Sequence, residues 1–515
     1  MNLLRVLATV SGMTMLSRIT GMVRESLVAS LFGASVQTDA FNAAFRIPNL
    51  LRRMFAEGAF SQAFVPILGE FKARRGDAET KTLVDHTATL LTWALLIVVL
   101  VGIAAAPFIV LVLATGLSQH AGSVDLAVLL TRVMFPYILL IALVAAASGI
   151  LNTWRNFSVP AFTPVLLNLC FIGCAVWVRP YVHPPILALA IGVILGGITQ
   201  LAFQIPALRS IGMVPKIALN IGAALADPGV RRILKQMVPA IFAVSVAQIS
   251  LIINTNIASW LAPGSISWLS YADRLMEFPT ALLGVALGTV LLPSLTHANA
   301  NNDGKQVAEL LDWGVRLTLL LALPSALALW LLAVPLTATL FHYVRFGAID
   351  VAMTSRAVTA YGVGLIGLVL VKILAPGYYA RQDIKTPVKI GIAVMVATQA
   401  MNLVFVPMFQ HAGLALSIGL GACVNALLLF SGLVRRGVYQ AQPGWAAFAL
   451  RLVFALLLLA AALWWAGGAF DWIELRSHPL DRAGLLAAVI AGGAGIYFAA
   501  LLSTGFKLSQ FRRRI

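Results

Sequence analysis

Two stretches of this sequence carry arginines and carboxylates where their neighbours are apolar. The first holds Arg18, Arg24 and Glu25, then Asp39, Arg46, Asn49, Arg52, Arg53 and Glu57. The second holds Asp273, Arg274 and Glu277. In the segment FRIPNLLRRMFAEGAFSQAFVPI, Arg46, Asn49, Arg53 and Glu57 recur at helical spacing and share a stripe, with Arg53 and Glu57 placed to pair at i, i+4. Arg52 points away from that stripe. Asp273 and Glu277 also stand at i, i+4, with Arg274 beside them. Asp273, Glu277, Arg53 and Glu57 suit mutual pairing as well as binding. Arg18, Arg24, Arg52 and Arg274 leave more cations than the anions can neutralise. Planar guanidinium forks bind phosphate oxygens two at a time, so a wet cleft lined by them suits a phosphate-bearing anion.

The elements that position these residues are membrane helices. The 515-residue chain is 60% hydrophobic and 11% charged, with a mean hydropathy of +0.93. About fourteen apolar runs of roughly twenty residues follow one another, each long enough to cross a bilayer. They lie near 8–30, 40–68, 88–114, 128–151, 161–179, 186–208, 234–260, 268–296, 313–333, 354–378, 387–407, 412–434, 448–468 and 483–505. The expected fold is an all-α polytopic membrane protein. An ionisable group in hydrocarbon is costly and normally faces a bundle interior or a watery cavity.

The net charge of +17 could suggest nucleic acid, but the cations cluster in alternate short connections, as the positive-inside rule expects of a membrane protein. Lys72, Arg74, Arg75, Arg231, Arg232, Arg381 and Arg435 lie on one side. Arg179, Arg345, Arg476 and Arg482 lie on the other. Both termini are therefore expected in the cytoplasm, with the first span retained rather than cleaved as a signal peptide. Cys170, Cys174 and Cys423 fall within spans and read as core residues, not a disulfide framework.

The chain echoes itself at a spacing of about 225 to 230 residues: FRIPNLL with MEFPTALL, FVPIL with LLPSL, FTPVLLN with KTPVKI, LALAIG with LALSIG. The repeat predicts two six-helix lobes related by pseudo-two-fold symmetry, 1–220 and 221–440. Residues 441–515 add two helices and a basic tail. Transporters built from such repeats bind substrate between them. No phosphate loop, nucleophile elbow or H-E-x-x-H motif is present, the seven histidines form no ligand cluster, and no cofactor or metal is expected. Gly284 and Gly288 form a G-x-x-x-G that reads as close helix packing.

The stretches SRITGMVRESLVASLFGASVQTDAF, FRIPNLLRRMFAEGAFSQAFVPIL, QISLIINTNIASWLAPGSISWLSYADRLMEFP, LLGVALGTVLLPSL and APGYYARQDIKTPVK resemble the MurJ-type lipid II flippases. These belong to the multidrug/oligosaccharidyl-lipid/polysaccharide exporter superfamily. The resemblance implies two six-helix lobes with two extra helices, and movement of lipid II from the inner to the outer leaflet of the bacterial cytoplasmic membrane. It implies a central cavity whose arginines match Arg18, Arg24, Arg52 and Arg274, with Arg46 at a further cation position and Ser267 at a polar one; Asn49 and Arg53, on the stripe described above, are assigned to substrate binding beside them. Acidic positions of that cavity match Asp39, Glu57, Asp273 and Glu277, which with Glu25, the neighbour of Arg24, are assigned to gating or ion pairs. The implied partners are lipid II, membrane lipids and the peptidoglycan synthesis machinery, with no nucleic acid. Energy would come from the membrane potential or an ion gradient. A cation antiporter of the same superfamily would call for an acidic cavity, and an enzyme acting on lipid-linked sugars for catalytic loops longer than this chain has.

Overall fold

The computed structural model describes residues 3–52, 59–301 and 303–506. Among them the regular structure is helical throughout, and the chain divides into two compact units, Met1–Ile266 and Ser267–Ile515.

The first unit contains α1 (Leu3–Phe32), α2 (Val36–Arg52), α3 (Ala59–Arg74), α4 (Gly76–Ala104), α5 (Ala106–Leu113), α6 (Ser123–Met134), α7 (Tyr137–Thr153), α8 (Ser158–Gly173), α9 (Leu187–Ser210), α10 (Ile221–Ala226) and α11 (Pro228–Ser259). Its core joins Phe60, Phe64, Leu68, Leu83, Ile138, Ile150 and Leu151, contributed mainly by α3, α4 and α7. The second unit contains α12 (Ser265–Ala300), α13 (Gly304–Leu331), α14 (Ala333–Phe341), α15 (Ala348–Tyr379), α16 (Lys385–Phe409), α17 (His411–Arg435), α18 (Trp445–Gly468) and α19 (Pro479–Ser503). Its most extensive packing is α15 on α17. There a Cβ on Gly364 would lie 2.1 Å from the Gly419 Cα, so the two backbones touch. With no hydrophobic drive between helices in lipid, such close approach supplies the dispersion that holds them. The expected contact glycines Gly284 and Gly288 lie outside the residues whose side chains are described.

Ten helical segments among the described residues are long and apolar enough to cross a membrane, and each matches an expected span. The spans near 8–30, 40–68, 234–260 and 268–296 are the ones outside that set. They are the first two of each expected six-span half, and three of them carry the clusters of arginines and carboxylates described above. This is a multi-pass α-helical membrane protein. Within the span near 40–68, α2 is described as far as Arg52 and α3 from Ala59.

The repeat assigns α11 to residues 221–440, yet by packing it joins the first unit, chiefly against α3. Long-range polar contacts account for this. Arg232 Nη1 pairs with Glu70 Oε2 at 2.8 Å, and Asp227, which caps α11, meets His86 Nδ1 at 2.8 Å. At the far end Asn256 Nδ2 donates to the Val112 carbonyl at 2.9 Å and to Thr115 Oγ1 at 2.8 Å. The division 1–220, 221–440 and 441–515 is a proposal drawn from the internal echoes of the sequence.

The two additional helices α18 and α19 pack on α13 through Leu320, Leu452, Leu459, Leu463, Tyr497 and Leu501. Polar clamps secure both ends of this seam. At one end Asp312 Oδ1 accepts from Tyr439 Oη at 2.8 Å and Trp445 Nε1 at 2.7 Å. At the other, Arg482 is fully buried and donates to the carbonyls of Trp472 and His342 at 3.4 and 3.3 Å. Cys170, Cys174 and Cys423 are free thiols, in line with their core reading.

One loop contact sets a pH dependence outside the spans. Arg436 Nη1 bonds Asp383 Oδ2 at 2.6 Å, and Thr386 donates to the same carboxylate through its hydroxyl and amide. These bonds hold the Asp383 carboxyl well below the usual carboxylate range. A depressed folded value gives stability that is present above the unfolded value, near 3.9, and is lost as pH falls toward the folded one. The melting-temperature difference between wild type and Asp383→Asn is therefore expected to be constant from pH 8 to about pH 5 and to shrink only below about pH 4. Thermal melts in detergent across that range check it, and a difference that already vanishes at pH 6 would refute the assignment.

Candidate functional site

The sequence-predicted set divides between the units. Within the first, α1 and α8 pack closely and bring Arg24 onto α8. Arg24 Nη1 donates to Asn168 Oδ1 at 3.1 Å, and its guanidinium carbon lies 4.9 Å from the Phe171 ring centre. Nη2 pairs with Glu25, its chain neighbour. Asn168 in turn donates to the Ser17 carbonyl at 3.0 Å and to Thr20 Oγ1 at 3.1 Å. The amide is 6% exposed, so its orientation is fixed, and it locks the turn of α1 that carries Arg24. Phe171 also joins Phe41 and Phe45 of α2 in an aromatic cluster, setting α2 against the same face of α8.

Arg18 lies half-buried one turn and a half before Arg24 on α1, with no hydrogen-bond or ion-pair partner among the described residues. Arg52 was expected to point away from the stripe of Arg46 and Asn49. Its guanidinium instead folds back to donate from Nε and Nη2 to Asn49 Oδ1, at 3.2 and 3.0 Å. The long side chain overrides its backbone direction because an i, i+3 partner lies within reach. Arg24 and Arg52 both lie within electrostatic reach of the buried Tyr137 hydroxyl at the start of α7, so they serve one region of this unit. Arg46 is half-buried on the same helix. Arg53 and Glu57 lie outside the described residues.

Asp39, in the first turn of α2, is 4% exposed and accepts the Gly264 amide through Oδ2 at 2.7 Å. Gly264 has φ +96°, a conformation that favours glycine. The carboxylate thus fastens α2 to the loop after α11.

In the second unit the charges sit on α12. Arg274 Nη1 pairs with Glu277 Oε2 at 2.8 Å, and both side chains are more than a third exposed. Asp273 is half-buried beside them, and Ser267 is fully buried one and a half turns earlier. Lys372 extends from α15 to the Thr280 carbonyl at 3.4 Å, one turn beyond Glu277. Lys372 is thus a further cation in the neighbourhood of Arg274.

Sequence reasoning missed Asn168, Phe171, Tyr137 and Lys372 as members of these neighbourhoods. An amide in the otherwise apolar run VLLNLCF was a usable signal for Asn168. Nothing local marked Phe171 or Tyr137. No group of three or more His, Cys, Asp or Glu comes together among the described residues.

The profile of the family described as "Lipid II flippase MurJ" matches residues 28–479. A "Lipid II flippase MurJ" of Burkholderia cenocepacia is 59% identical over 514 residues, covering 100% of both chains. A "Probable lipid II flippase MurJ" of Vibrio cholerae is 41% identical and covers 98% of this chain and 96% of its own length. Among solved structures, "Lipid II flippase MurJ, inward closed conformation" aligns with a TM-score of 0.77 at 24% identity, covering 96% of this chain and 99% of that one. An inward-facing multidrug resistance MATE transporter of the MOP superfamily aligns with a TM-score of 0.69 at 14% identity, covering 86% and 99%. At these identities the two structures speak to the fold.

Proposed function

We infer the function from one premise: this chain belongs to the lipid II flippase MurJ family. It is a transporter that moves lipid II, the undecaprenyl-diphosphate-linked peptidoglycan precursor, between leaflets of the bacterial inner membrane. Both termini face the cytoplasm in this reading, and the precursor travels from the cytoplasmic to the periplasmic leaflet. The polyprenyl tail stays in lipid while the headgroup crosses. The arginines receive the diphosphate, and alternating access carries it across.

The observation that carries the site reading is the charge balance of α1 and α2. Through residue 57 the first two spans hold Arg18, Arg24, Arg46, Arg52 and Arg53 against Glu25, Asp39 and Glu57. Asp39 is engaged by a backbone amide and Glu25 by Arg24. Cations held in a membrane protein in excess of their carboxylates call for an anion, and a diphosphate offers oxygens for two guanidinium forks. Arg274 and Lys372 on the other unit are assigned to the same headgroup, whose peptide also bears carboxylates. Glu57, Asp273 and Glu277 would exchange partners as the transporter changes state.

Outward movement of an anion is favoured by an inside-negative potential, by about 2.3 kcal/mol per charge per 100 mV. A multiply charged headgroup can therefore be driven by the potential alone. The test measures lipid II reaching the outer leaflet, by access of an external hydrolase, in cells whose potential is collapsed while ion gradients are kept. Flipping is expected to fall at least about tenfold; undiminished flipping would overturn the driving force but not the substrate. Substrate is tested by depleting the protein. Lipid II should accumulate and stay protected from the hydrolase, and unchanged access would remove lipid II as the cargo.

A further inference from the structure

The second unit holds a groove of about 950 Å³ between the end of α13, α14, the first half of α15 and the α16–α17 junction. Its walls are mainly apolar, with Ser355, Thr359, Gln410 and His411 among them. Trp330, Val363, Met408 and Phe409 are 54, 44, 65 and 48% exposed. One charge stands in it, Arg356, eight residues into α15. Among the described residues its guanidinium meets only the Met353 sulfur, at 3.9 Å, and no carboxylate.

That isolation is not inherited from the repeat. Arg132 lies 224 residues earlier, close to the repeat spacing, and is likewise exposed on a membrane helix. Arg132 donates through Nε to the Ile103 carbonyl at 3.3 Å, where α4 ends. Arg356 has no such acceptor, and an apolar groove opens beside it instead.

Depth defines the environment. The 32 residues of α15 extend about 48 Å, against a hydrocarbon core of about 30 Å. With α15 centred in the bilayer, Arg356 lies about 11 Å from the midplane, just inside the edge of the hydrocarbon. A cation at that depth is costly alone and is stabilised by phosphate at the headgroup level. Apolar walls toward the midplane and a single cation at the rim match an amphiphile with one anionic head and long chains.

We propose that this groove binds an anionic glycerophospholipid from the leaflet into which the N-terminal half of α15 opens. Arg356 takes the phosphate, and one acyl chain lies against Trp330, Val363 and Phe409. The bound lipid acts as a structural ligand of α15, α16 and α17, separate from lipid II and from the arginines of α1, α2 and α12.

The full-length protein in nanodiscs of equal phosphatidylglycerol and phosphatidylcholine tests this, with retained lipids counted by native mass spectrometry. Wild type should keep one more phosphatidylglycerol than Arg356→Gln, whose affinity at this site should fall about tenfold. Val363→Trp, which fills the groove and leaves the charge, should lose the same lipid. Arg132→Gln should retain it. Equal phosphatidylglycerol retention by Arg356→Gln and wild type, or equal retention of phosphatidylcholine in the groove, overturns the proposal. Because the readout is lipid retention rather than flipping, it succeeds or fails independently of the lipid II assignment.

Discussion

Cells that depend on this chain with Arg24→Ala are expected to stop growing and to accumulate lipid II, while the protein still reaches the membrane in normal amount. Arg24 makes charge-assisted contacts to Glu25 and Asn168 and stacks on Phe171, so its fork is held in place before any anion arrives. A hydrogen bond to a charged group contributes about 1.5–3 kcal/mol, so losing one bidentate contact lowers headgroup affinity about ten- to a hundredfold. Arg24→Lys keeps the charge but loses the fork, and should rescue poorly. Asn168→Ala leaves the arginine but frees it to rotate, and a partial loss is expected there. Outer-leaflet lipid II measured beside membrane abundance separates these outcomes. Arg18→Ala is expected to behave like Arg24→Ala. Normal growth of an Arg52→Ala, Arg274→Ala double mutant would refute the headgroup role of the whole set.

The second large effect concerns stability rather than transport. Asp312 is 2% exposed and receives Tyr439, Trp445 and the Gln442 amide on one oxygen. Its other oxygen lies 2.8 Å from Arg316 Nε, an ion pair by distance though not an aligned hydrogen bond. Arg316 is held further by the carbonyls of Gln442 and Pro443 and by the face of Trp445. Removing the carboxylate strands three donors and a largely buried cation. Breaking a buried pair from one side costs about 3–5 kcal/mol. For a unit of this size Asp312→Ala should lower the melting temperature in detergent by about 5–15 °C. It should also expose the chain between α17 and α18 to proteolysis, because that clamp holds the segment on α13. Asp312→Asn retains acceptor capacity and should fall between. Equal melting of Asp312→Ala and wild type would show that α18 and α19 are held by their apolar seam alone.

Sequence alone sets the class of this protein. Hydrocarbon thickness and the cost of exposed backbone in lipid leave one solution for runs of about twenty apolar residues, so the helices are legible without any partner. It also determined which residue types break that pattern, since arginines in an apolar run stand out wherever they point. Tertiary structure decided what those residues meet. Asn168 lies 144 residues from Arg24, and Tyr439 lies 127 from Asp312. No local period encodes such pairs; they exist only once helices have packed. Packing likewise gave α11 to the first unit, through ion pairs and amide contacts at its two ends that a repeat cannot reveal. It separated Arg132 from Arg356, alike in sequence position and unlike in what surrounds them. The physical reason is common to all four cases. Periodicity fixes which face of a helix is apolar, whereas a polar side chain in a membrane is defined by the particular acceptor that a neighbouring helix brings to it.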